Sequence, residues 1–297
     1  MTTGLPHPCP RTFFVLGAAK CGTTSLCGSL AQHPNVCFSI PKELSFFARE
    51  DCFCKGFDWY HSRFTPTPDT KILGEGSTQY TRYPTYAKSI SRIHDYRPDA
   101  KLIYIVRNPS EALYSFYLHR MRDGNRMPIR EFMNELPEAL HSCNFADQIE
   151  NVWRHFPRNQ LLVLRFQEMV DAPNETIRRC FEFLELPILT STSHRLKNNR
   201  TDYQANRQVM KILKTVKNVP LVGRSLSLMP NELRAEIYQK VVTSCIGKRL
   251  AAGHFKQLDP YDNSLKTELQ SLFRPSIDRL EQILGWDLTD WKATTHA

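Results

Sequence analysis

The chain alternates short apolar runs rich in β-branched residues with longer stretches in which apolar residues recur every three or four positions. The first pattern predicts buried strands, and the second predicts amphipathic helices. Strands are predicted over 12–17, 71–75, 101–106 and 160–165, and helices over 22–33, 84–95, 109–122, 144–156 and 173–185. Because helical segments separate the strands, the pattern predicts an α/β fold with a central parallel β-sheet flanked by helices on both faces.

The C-terminal third of the chain has a different pattern. After residue 204 it is largely helical, with one helix opening at 230–232 and another over 265–284 around Pro275. The stretch 186–201 is rich in Thr, Ser and Asn and is predicted to be a loop over the site.

A glycine-bounded loop follows the first predicted strand. It reads GAAKCGTT from Gly17 to Thr24, and a strand–loop–helix layout of this kind presents backbone amides to a phosphate. The spacing of Gly17 and Gly22 matches a P-loop, but Thr23 stands where a nucleotide-hydrolysing loop carries lysine. The lysine lies inside the loop, at Lys20. The alternative is a buried strand followed by a turn and a Thr/Ser helix cap.

A second candidate phosphate site lies at the end of the third predicted strand. The run LIYIVRNP ends that strand at Arg107 and starts a helix near Pro109. Ser115 lies eight residues after Arg107, so that two helical turns bring its hydroxyl back towards the end of the strand, where both side chains can bind one phosphate. The alternative is a surface arginine that pairs with Glu111, and this segment alone favours that alternative.

Together, the two segments resemble those of the sulfotransferases that use 3′-phosphoadenosine 5′-phosphosulfate (PAPS). The resemblance implies a P-loop NTPase-like fold, a loop that binds the 5′-phosphosulfate, and an arginine and a serine that bind the 3′-phosphate. It also places Lys20 where it can stabilise the charge that develops on the leaving phosphate. The cofactor-binding residues that it implies are Ala19, Lys20, Cys21, Gly22, Thr23, Thr24, Arg107 and Ser115.

Further segments resemble the heparan-sulfate-type branch of that family and related bacterial enzymes. They are PKELSFF at 41–47, KGFDWY at 55–60, GEGS at 74–77 and the closing stretch 280–286. The resemblance makes Glu43 the general base, the alternative being a loop carboxylate paired with Lys42. The substrate-binding residues that it implies are Lys42, Phe46, Phe47, Trp59, Tyr60 and Ser77. The alternative for the aromatic residues is a place in the core, and His33, His61 and His119 are the other candidates for a base.

The chain departs from the family pattern at two places. Gly76 stands where the heparan-sulfate-type branch has lysine, which weakens the case for a heavily sulfated polysaccharide as the acceptor. The C-terminal motif that closes over the 3′-phosphate is absent in its clean form, and Lys248 and Arg249 are predicted to replace it in binding the cofactor.

Composition sets the remaining expectations. The chain has 297 residues, and no break in its composition separates parts of it, so one domain over 1–297 is predicted, with 1–11 as a flexible N-terminal segment. No stretch is apolar enough for a signal peptide or a membrane span, which predicts a cytoplasmic protein without stable membrane insertion. The alternative is a longer protein with an N-terminal anchor, as Golgi members of the resembled branch have. The nine cysteines lack metal-ligand spacing and are predicted to be free thiols with no metal site.

The net charge of +9 has two interpretations: a cationic cleft for the anionic PAPS, or an ordinary basic surface. No nucleic-acid-binding signature is present. The leading hypothesis is therefore a sulfotransferase that uses PAPS without a metal, releases PAP (adenosine 3′,5′-bisphosphate), and sulfates a hydroxyl, less favourably an amine, of a carbohydrate or small molecule. The alternatives are a P-loop kinase-like phosphotransferase, an inactive nucleotide-binding relative and an interaction protein that merely kept the fold.

Overall fold

The computed structural model describes residues 11–121, 127–188 and 258–293. The chain forms two compact units, and described residues 11–117, 133–188 and 261–293 belong to the first. The second contains 118–121, 127–132 and 258–260, where the backbone amide of Ile129 donates to the Asp259 carboxylate at 2.7 Å. One domain over the whole chain stays a prediction.

The first unit is built on a five-stranded sheet in which all pairings are parallel. The strands are β1 (Arg11–Gly17), β2 (Val36–Phe38), β3 (Ile72–Gly76), β4 (Lys101–Val106) and β5 (Leu161–Arg165). Their order across the sheet is β2-β3-β1-β4-β5. The predicted α/β fold with a parallel sheet and flanking helices is confirmed.

Helices connect and flank the strands. They are α1 (Thr23–Leu30), α2 (Glu50–Phe53), α3 (Gly56–His61), α4 (Ser89–Tyr96), α5 (Pro109–Arg120), α6 (Ile129–Glu135), α7 (Pro137–His141), α8 (Phe145–Trp153), α9 (Phe166–Asp171), α10 (Pro173–Phe183), α11 (Asn263–Leu284) and α12 (Thr289–Lys292). A short 3-10 turn at Arg158–Gln160 precedes β5.

The core lies on the central strands. The side chains of Phe13 to Leu16 in β1 and of Leu102 to Val106 in β4 have no solvent exposure. Parallel strands that are covered on both faces are apolar throughout, which explains why these two runs were recognisable in the sequence. The carboxyl ends of parallel strands lie at one edge, where ligands bind in open α/β sheets.

The structure corrects several predicted elements. The strand β2 was missed because its three residues are too few for a periodic signal. Six short helices were missed for the same reason, namely α2, α3, α6, α7, α9 and α12. Arg11 was assigned to the flexible segment, but it begins β1. The predicted loop over 186–201 beyond residue 188, the helix at 230–232, and Lys248 and Arg249 lie outside the described residues.

Candidate active site

The loop after β1 begins with a close backbone contact. Gly17 has a φ of 146°, and a Cβ atom built on it would lie 2.4 Å from the Thr81 hydroxyl oxygen. That hydroxyl donates to the Leu16 carbonyl at 2.9 Å. Because both the dihedral and the space exclude a side chain, glycine is required where the chain leaves the sheet.

The loop ends at a second constrained glycine. Gly22 adopts a left-handed conformation with φ 85° and caps α1, its carbonyl accepting from the amides of Ser25 and Leu26. A Cβ atom here would lie 2.5 Å from the Met169 side chain and 2.9 Å from the Phe166 ring. The helix α9 therefore packs against the loop at Gly22 through the side chains of Phe166 and Met169.

The side chains of the loop divide by exposure. Ala19, Cys21 and Thr23 are buried, whereas Lys20 is half-buried and Thr24 is exposed. Burial raises the pKa of the Cys21 thiol, so this residue is a neutral part of the core.

The start of α1 has the features of an anion site. The first amides of a helix have no intrahelical acceptor, and the helix dipole favours negative charge there. No acidic residue lies in the first turn of α1, and none of the described side chains caps the helix. The loop residues therefore fit a phosphate group, held by amides and by Lys20.

Arg107 lies directly after β4 and is held by two neighbours. Its Nε atom donates to the Glu111 carboxylate at 2.9 Å, and its guanidinium lies 4.8 Å from the centre of the Phe166 ring. The predicted alternative, an ion pair with Glu111, is thus present, although Arg107 is largely buried and Glu111 is exposed on nearly half of its side chain. Ser115 is half-buried in α5. Because Phe166 contacts both Gly22 and Arg107, α9 ties the two predicted phosphate segments together.

Glu43 is fixed by its neighbours on both carboxylate oxygens. Its Oε2 atom accepts from the Thr78 amide at 2.8 Å and from the Thr78 hydroxyl at 3.2 Å, while Oε1 pairs with Lys42. Its own amide donates to the Gly76 carbonyl at 3.0 Å. The side chain remains 38% exposed, so the pair with Lys42 leaves the carboxylate accessible to an acceptor.

Four residues predicted to bind the acceptor lie in the core instead. Phe46, Phe47, Tyr60 and Ser77 have no solvent exposure. The rings of Phe46 and Phe47 pack on Tyr60, with centroid separations of 4.7 and 5.2 Å. These side chains therefore support the segment that carries Glu43 rather than contact a ligand, which was the alternative for the aromatic residues.

Trp59 keeps part of its surface. It is half-buried, and the cations of Lys55 and Arg63 lie 4.5 and 4.8 Å from its ring. Lys42 is also partly exposed, at 22% of its side chain. These two residues remain available for acceptor binding.

The glycine that replaces the expected lysine is tightly enclosed. A Cβ atom on Gly76 would lie 2.6 Å from the Cys27 sulfur and 3.6 Å from Cε of Lys42. A side chain here requires Cys27 to move. The packing of α1 against β3 therefore leaves no room for a lysine side chain at position 76.

Glu75 is a notable residue of the site that the sequence did not predict. Its carboxylate is fully buried and accepts from the hydroxyls of Ser77 at 2.6 Å, Tyr80 at 2.7 Å and Tyr60 at 3.3 Å. Burial, and to a smaller extent the charge of Glu43, raises the pKa of Glu75 to about 7. The only sequence signal was its place in the segment 74–77.

The contacts of His33 and His61 are specific. His33 is buried, with its ring nitrogens 3.0 Å from the Pro187 carbonyl and 3.1 Å from the Asn35 amide. His61 lies 3.0 Å from the Tyr96 hydroxyl, and burial lowers its pKa. His119 is exposed at the end of α5. The assignment of the base to Glu43 stays a prediction.

Neither a metal-binding cluster nor a membrane-crossing helix is present in residues 11–121, 127–188 and 258–293. No cluster of three or more histidine, cysteine, aspartate or glutamate side chains that could hold a metal ion was found there. No helix among the same residues combines the length and the apolar character that a membrane crossing requires.

Comparison with known proteins identifies the relatives of the chain. The family model of the sulfotransferase domain matches residues 10–222. Heparan sulfate glucosamine 3-O-sulfotransferase 6 of Mus musculus is 28% identical over 189 residues, which cover 61% of this chain and 54% of that protein. Bifunctional heparan sulfate N-deacetylase/N-sulfotransferase 1 of Caenorhabditis briggsae is 24% identical over 258 residues, covering 75% of this chain and 28% of that protein.

The chain thus spans about half or less of the length of these curated relatives. Among solved structures, a sulfotransferase from Alicyclobacillus acidocaldarius has a TM-score of 0.67 at 22% identity. The match covers 96% of this chain and 99% of that one. This likeness supports the fold.

Proposed function

Because this chain belongs to the sulfotransferase domain family, we propose that it transfers the sulfo group of PAPS to a hydroxyl, less favourably an amine, of a carbohydrate or small-molecule acceptor. The observation that carries the proposal is the joint packing of the two phosphate segments. Phe166 lies against the Gly22 turn and near the Arg107 guanidinium. Both segments follow the carboxyl ends of β1 and β4, which are paired neighbours in the sheet.

The loop and α1 are proposed to hold the 5′ side of the donor. PAPS, when bound, supplies the activated sulfo group. The amides from Cys21 to Thr24 donate to phosphate oxygens, and the exposed Thr24 hydroxyl adds a donor. Lys20 lies within the same loop, where its charge stabilises the negative charge that develops on the leaving phosphate.

Arg107 and Ser115 are proposed to bind the 3′-phosphate. The arginine is already oriented by Glu111 and by the Phe166 ring, which reduces the conformational entropy that binding would cost. An incoming phosphate competes with Glu111 for the same N–H donors. Lys248 and Arg249 remain proposed cofactor contacts outside the described residues.

Glu43 is proposed to accept the proton of the acceptor. Its geometry suits the role, since Thr78 and Lys42 fix the carboxylate while over a third of the side chain stays exposed. Lys42 and Trp59 are the proposed contacts to the acceptor from this side.

An open cleft of about 670 Å³ is a second candidate for acceptor contacts. It is lined by Ala48, Arg49, Glu50, Asp51, Thr85, Tyr86, Ala87 and Lys88. Its charged side chains are paired with each other, Arg49 with Asp51 and Lys88 with Glu50. Mixed, paired charges suit a neutral polar ligand better than a polyanion. Together with Gly76, the cleft favours a neutral hydroxylated acceptor, although the two relatives are by name heparan sulfate enzymes.

We also propose a cytoplasmic location. All seven described cysteines are free thiols, as expected in a reducing compartment. Fractionation of cells expressing the chain tests this; recovery with organelle membranes or in the medium would contradict it.

The proposed activity is tested first through ligand binding. Ligands that bind the native state raise the unfolding temperature, so PAP should stabilise the protein, AMP far less, and ATP with magnesium no more than AMP. Arg107→Ala should abolish the preference for PAP over AMP. Its matched control is Arg178→Ala, which removes an ion-paired arginine from the surface of α10 and should leave that preference intact. Equal stabilisation by PAP and AMP would contradict the assignment, and preference for ATP with magnesium would favour a kinase.

The acceptor class is tested by transfer of radiolabelled sulfate from PAPS. The panel contains heparan sulfate, N-deacetylated heparosan and neutral glycosides. Greater turnover with a neutral glycoside is expected. A strong preference for heparan sulfate would show that Gly76 and the paired charges do not select against a polyanion, and a strong preference for the zwitterionic N-deacetylated heparosan would contradict the neutral acceptor.

A further inference from the structure

The buried carboxylate of Glu75 lies in β3, one residue before the end of the strand. In the described chain its hydrogen-bond partners are three hydroxyl groups, those of Ser77, Tyr80 and Tyr60. Burying a carboxyl group is costly unless its hydrogen bonds are made. A cluster of this kind in the core therefore calls for a role other than packing.

Two of the three hydroxyls also hold the segment that follows Glu43. The Ser77 oxygen accepts from the Ser45 amide at 2.9 Å, and the Tyr80 oxygen accepts from the Phe47 amide at 3.4 Å. Each hydroxyl has a single proton. Because an ionised carboxylate only accepts, Glu75 directs both protons to itself and leaves the hydroxyl lone pairs facing the two amides.

The segment held in this way has an unfavourable backbone. Glu43 and Ser45 have positive φ values of 67° and 53°, which side chains other than glycine adopt at an energetic cost. Such a conformation persists only where its surroundings fix it. Three hydrogen bonds from backbone amides help to fix this segment. The Ser45 amide donates to Ser77, the Phe47 amide to Tyr80, and the Glu43 amide to the Gly76 carbonyl.

We propose that Glu75 is a positioning residue for Glu43: through the hydroxyls of Ser77 and Tyr80, its carboxylate locks the strained segment that presents Glu43 to the acceptor. The catalytic part of this proposal rests on the proposed sulfotransferase function. The hydrogen-bond relay itself does not, and the two can be tested separately.

The relay is tested by amide hydrogen exchange, resolved to single residues by NMR, in the absence of any ligand. Ser77→Ala should accelerate exchange at Ser45, and Tyr80→Phe should accelerate exchange at Phe47, each by about tenfold, the population change that one net hydrogen bond produces. Glu75→Leu should accelerate both, because it removes the oxygen atom Oε1 to which the Ser77 and Tyr80 hydroxyls both donate.

The matched control is Tyr60→Phe. It removes a hydroxyl that binds Glu75 but makes no hydrogen bond to the segment, so exchange at Ser45 and Phe47 should stay within twofold of wild type. Amides of β5, such as that of Val163, report global opening and normalise the comparison. Unchanged exchange in both Ser77→Ala and Tyr80→Phe, or equal acceleration in Tyr60→Phe, would overturn the relay.

Positioning is tested by turnover with the best acceptor of the panel above. Glu75→Leu, which removes the acceptor of both hydroxyls, should lower kcat by about 10–100-fold and leave the KM for PAPS unchanged. In a Glu43→Gln background the same change should have almost no further effect, because residues that act through one group are not additive.

A full additional loss in that background, or a parallel rise in the KM for PAPS, would overturn the positioning role. If no acceptor is turned over, the proposed function fails. The exchange data still decide whether Glu75 holds the Glu43 segment.

Discussion

The burial of Glu75 predicts an unusual pH dependence of stability, which the substitution Glu75→Gln should expose. The pKa of this carboxyl is raised from its ordinary value of 4.5 to about 7, first by burial. The folded state therefore binds a proton more tightly than the unfolded state does. The stabilising contribution is complete below pH 4.5 and is lost as the pH rises to about 7.

The magnitude follows from the two pKa values. At roughly 1.4 kcal/mol for each pKa unit, the contribution lost between pH 5 and pH 8 is about 2–3 kcal/mol. The nearby thiol and phenol groups do not titrate between pH 5 and pH 8 and so do not obscure this change in stability. Burial raises the pKa of Cys27 to about 12 and holds those of Tyr60 and Tyr80 well above 10. Glu43 acts on the same group, its charge adding to the rise.

The assay is urea unfolding of wild type and of Glu75→Gln at pH 5, 6, 7 and 8, followed by tryptophan fluorescence. Titrations elsewhere in the chain are common to both proteins and cancel in the difference. The free energy of unfolding of wild type minus that of the variant should fall by about 2–3 kcal/mol across this range. A difference that is flat within about 0.5 kcal/mol, or that rises with pH, would refute the reasoning, since it would mean that the hydroxyl groups stabilise the carboxylate more than burial destabilises it.

Further predictions concern the loop, the 3′ site, the base and the enclosed glycine. Arg107→Ala should weaken PAP by roughly 2–4 kcal/mol in calorimetry; an unchanged affinity would place the 3′-phosphate elsewhere. Lys20→Ala should lower turnover by about 10²–10³-fold while PAP still binds. Wild-type turnover should survive EDTA, whereas loss that magnesium restores would favour a kinase. Glu43→Gln should bind both ligands and lose roughly 10²–10⁴-fold in rate; near-normal turnover would move the base to His61 or His119. Gly76→Ala should destabilise the fold by about 1–3 kcal/mol in urea unfolding, and adding Cys27→Ala should recover part of that loss, because the Cys27 sulfur occupies the required space.

The local pattern of apolar residues predicted the helices and strands that are long or that form continuous apolar runs. β1 and β4 are continuous apolar runs because the sheet covers them on both faces. The helices α8 and α10 were predicted within a few residues of their observed ends. β2 has three residues and forms only because β3 offers it a partner, a tertiary cause that no window of sequence contains.

The same division applies to the candidate site. The loop from Gly17 and the strand end at Arg107 are local motifs, so the sequence located both. The roles of Phe46 and Tyr60 were wrong in the sequence analysis because an aromatic residue beside a catalytic motif suits a ligand wall and a core equally well. Only the packing of the two rings against each other decides between them.

The cluster around Glu75 could not be predicted from the sequence. Its partners Tyr60 and Tyr80 lie 15 residues before and 5 residues after it in the chain, and nothing local indicates that they meet. The cluster also loses stability as the pH rises through about 7, the range in which the buried carboxyl ionises. A cost of this size at a buried residue is expected where function requires the arrangement. Because the ionised form is also the one that directs the Ser77 and Tyr80 hydroxyls, the pH range in which the fold is least stable should be the range in which Glu43 is held best.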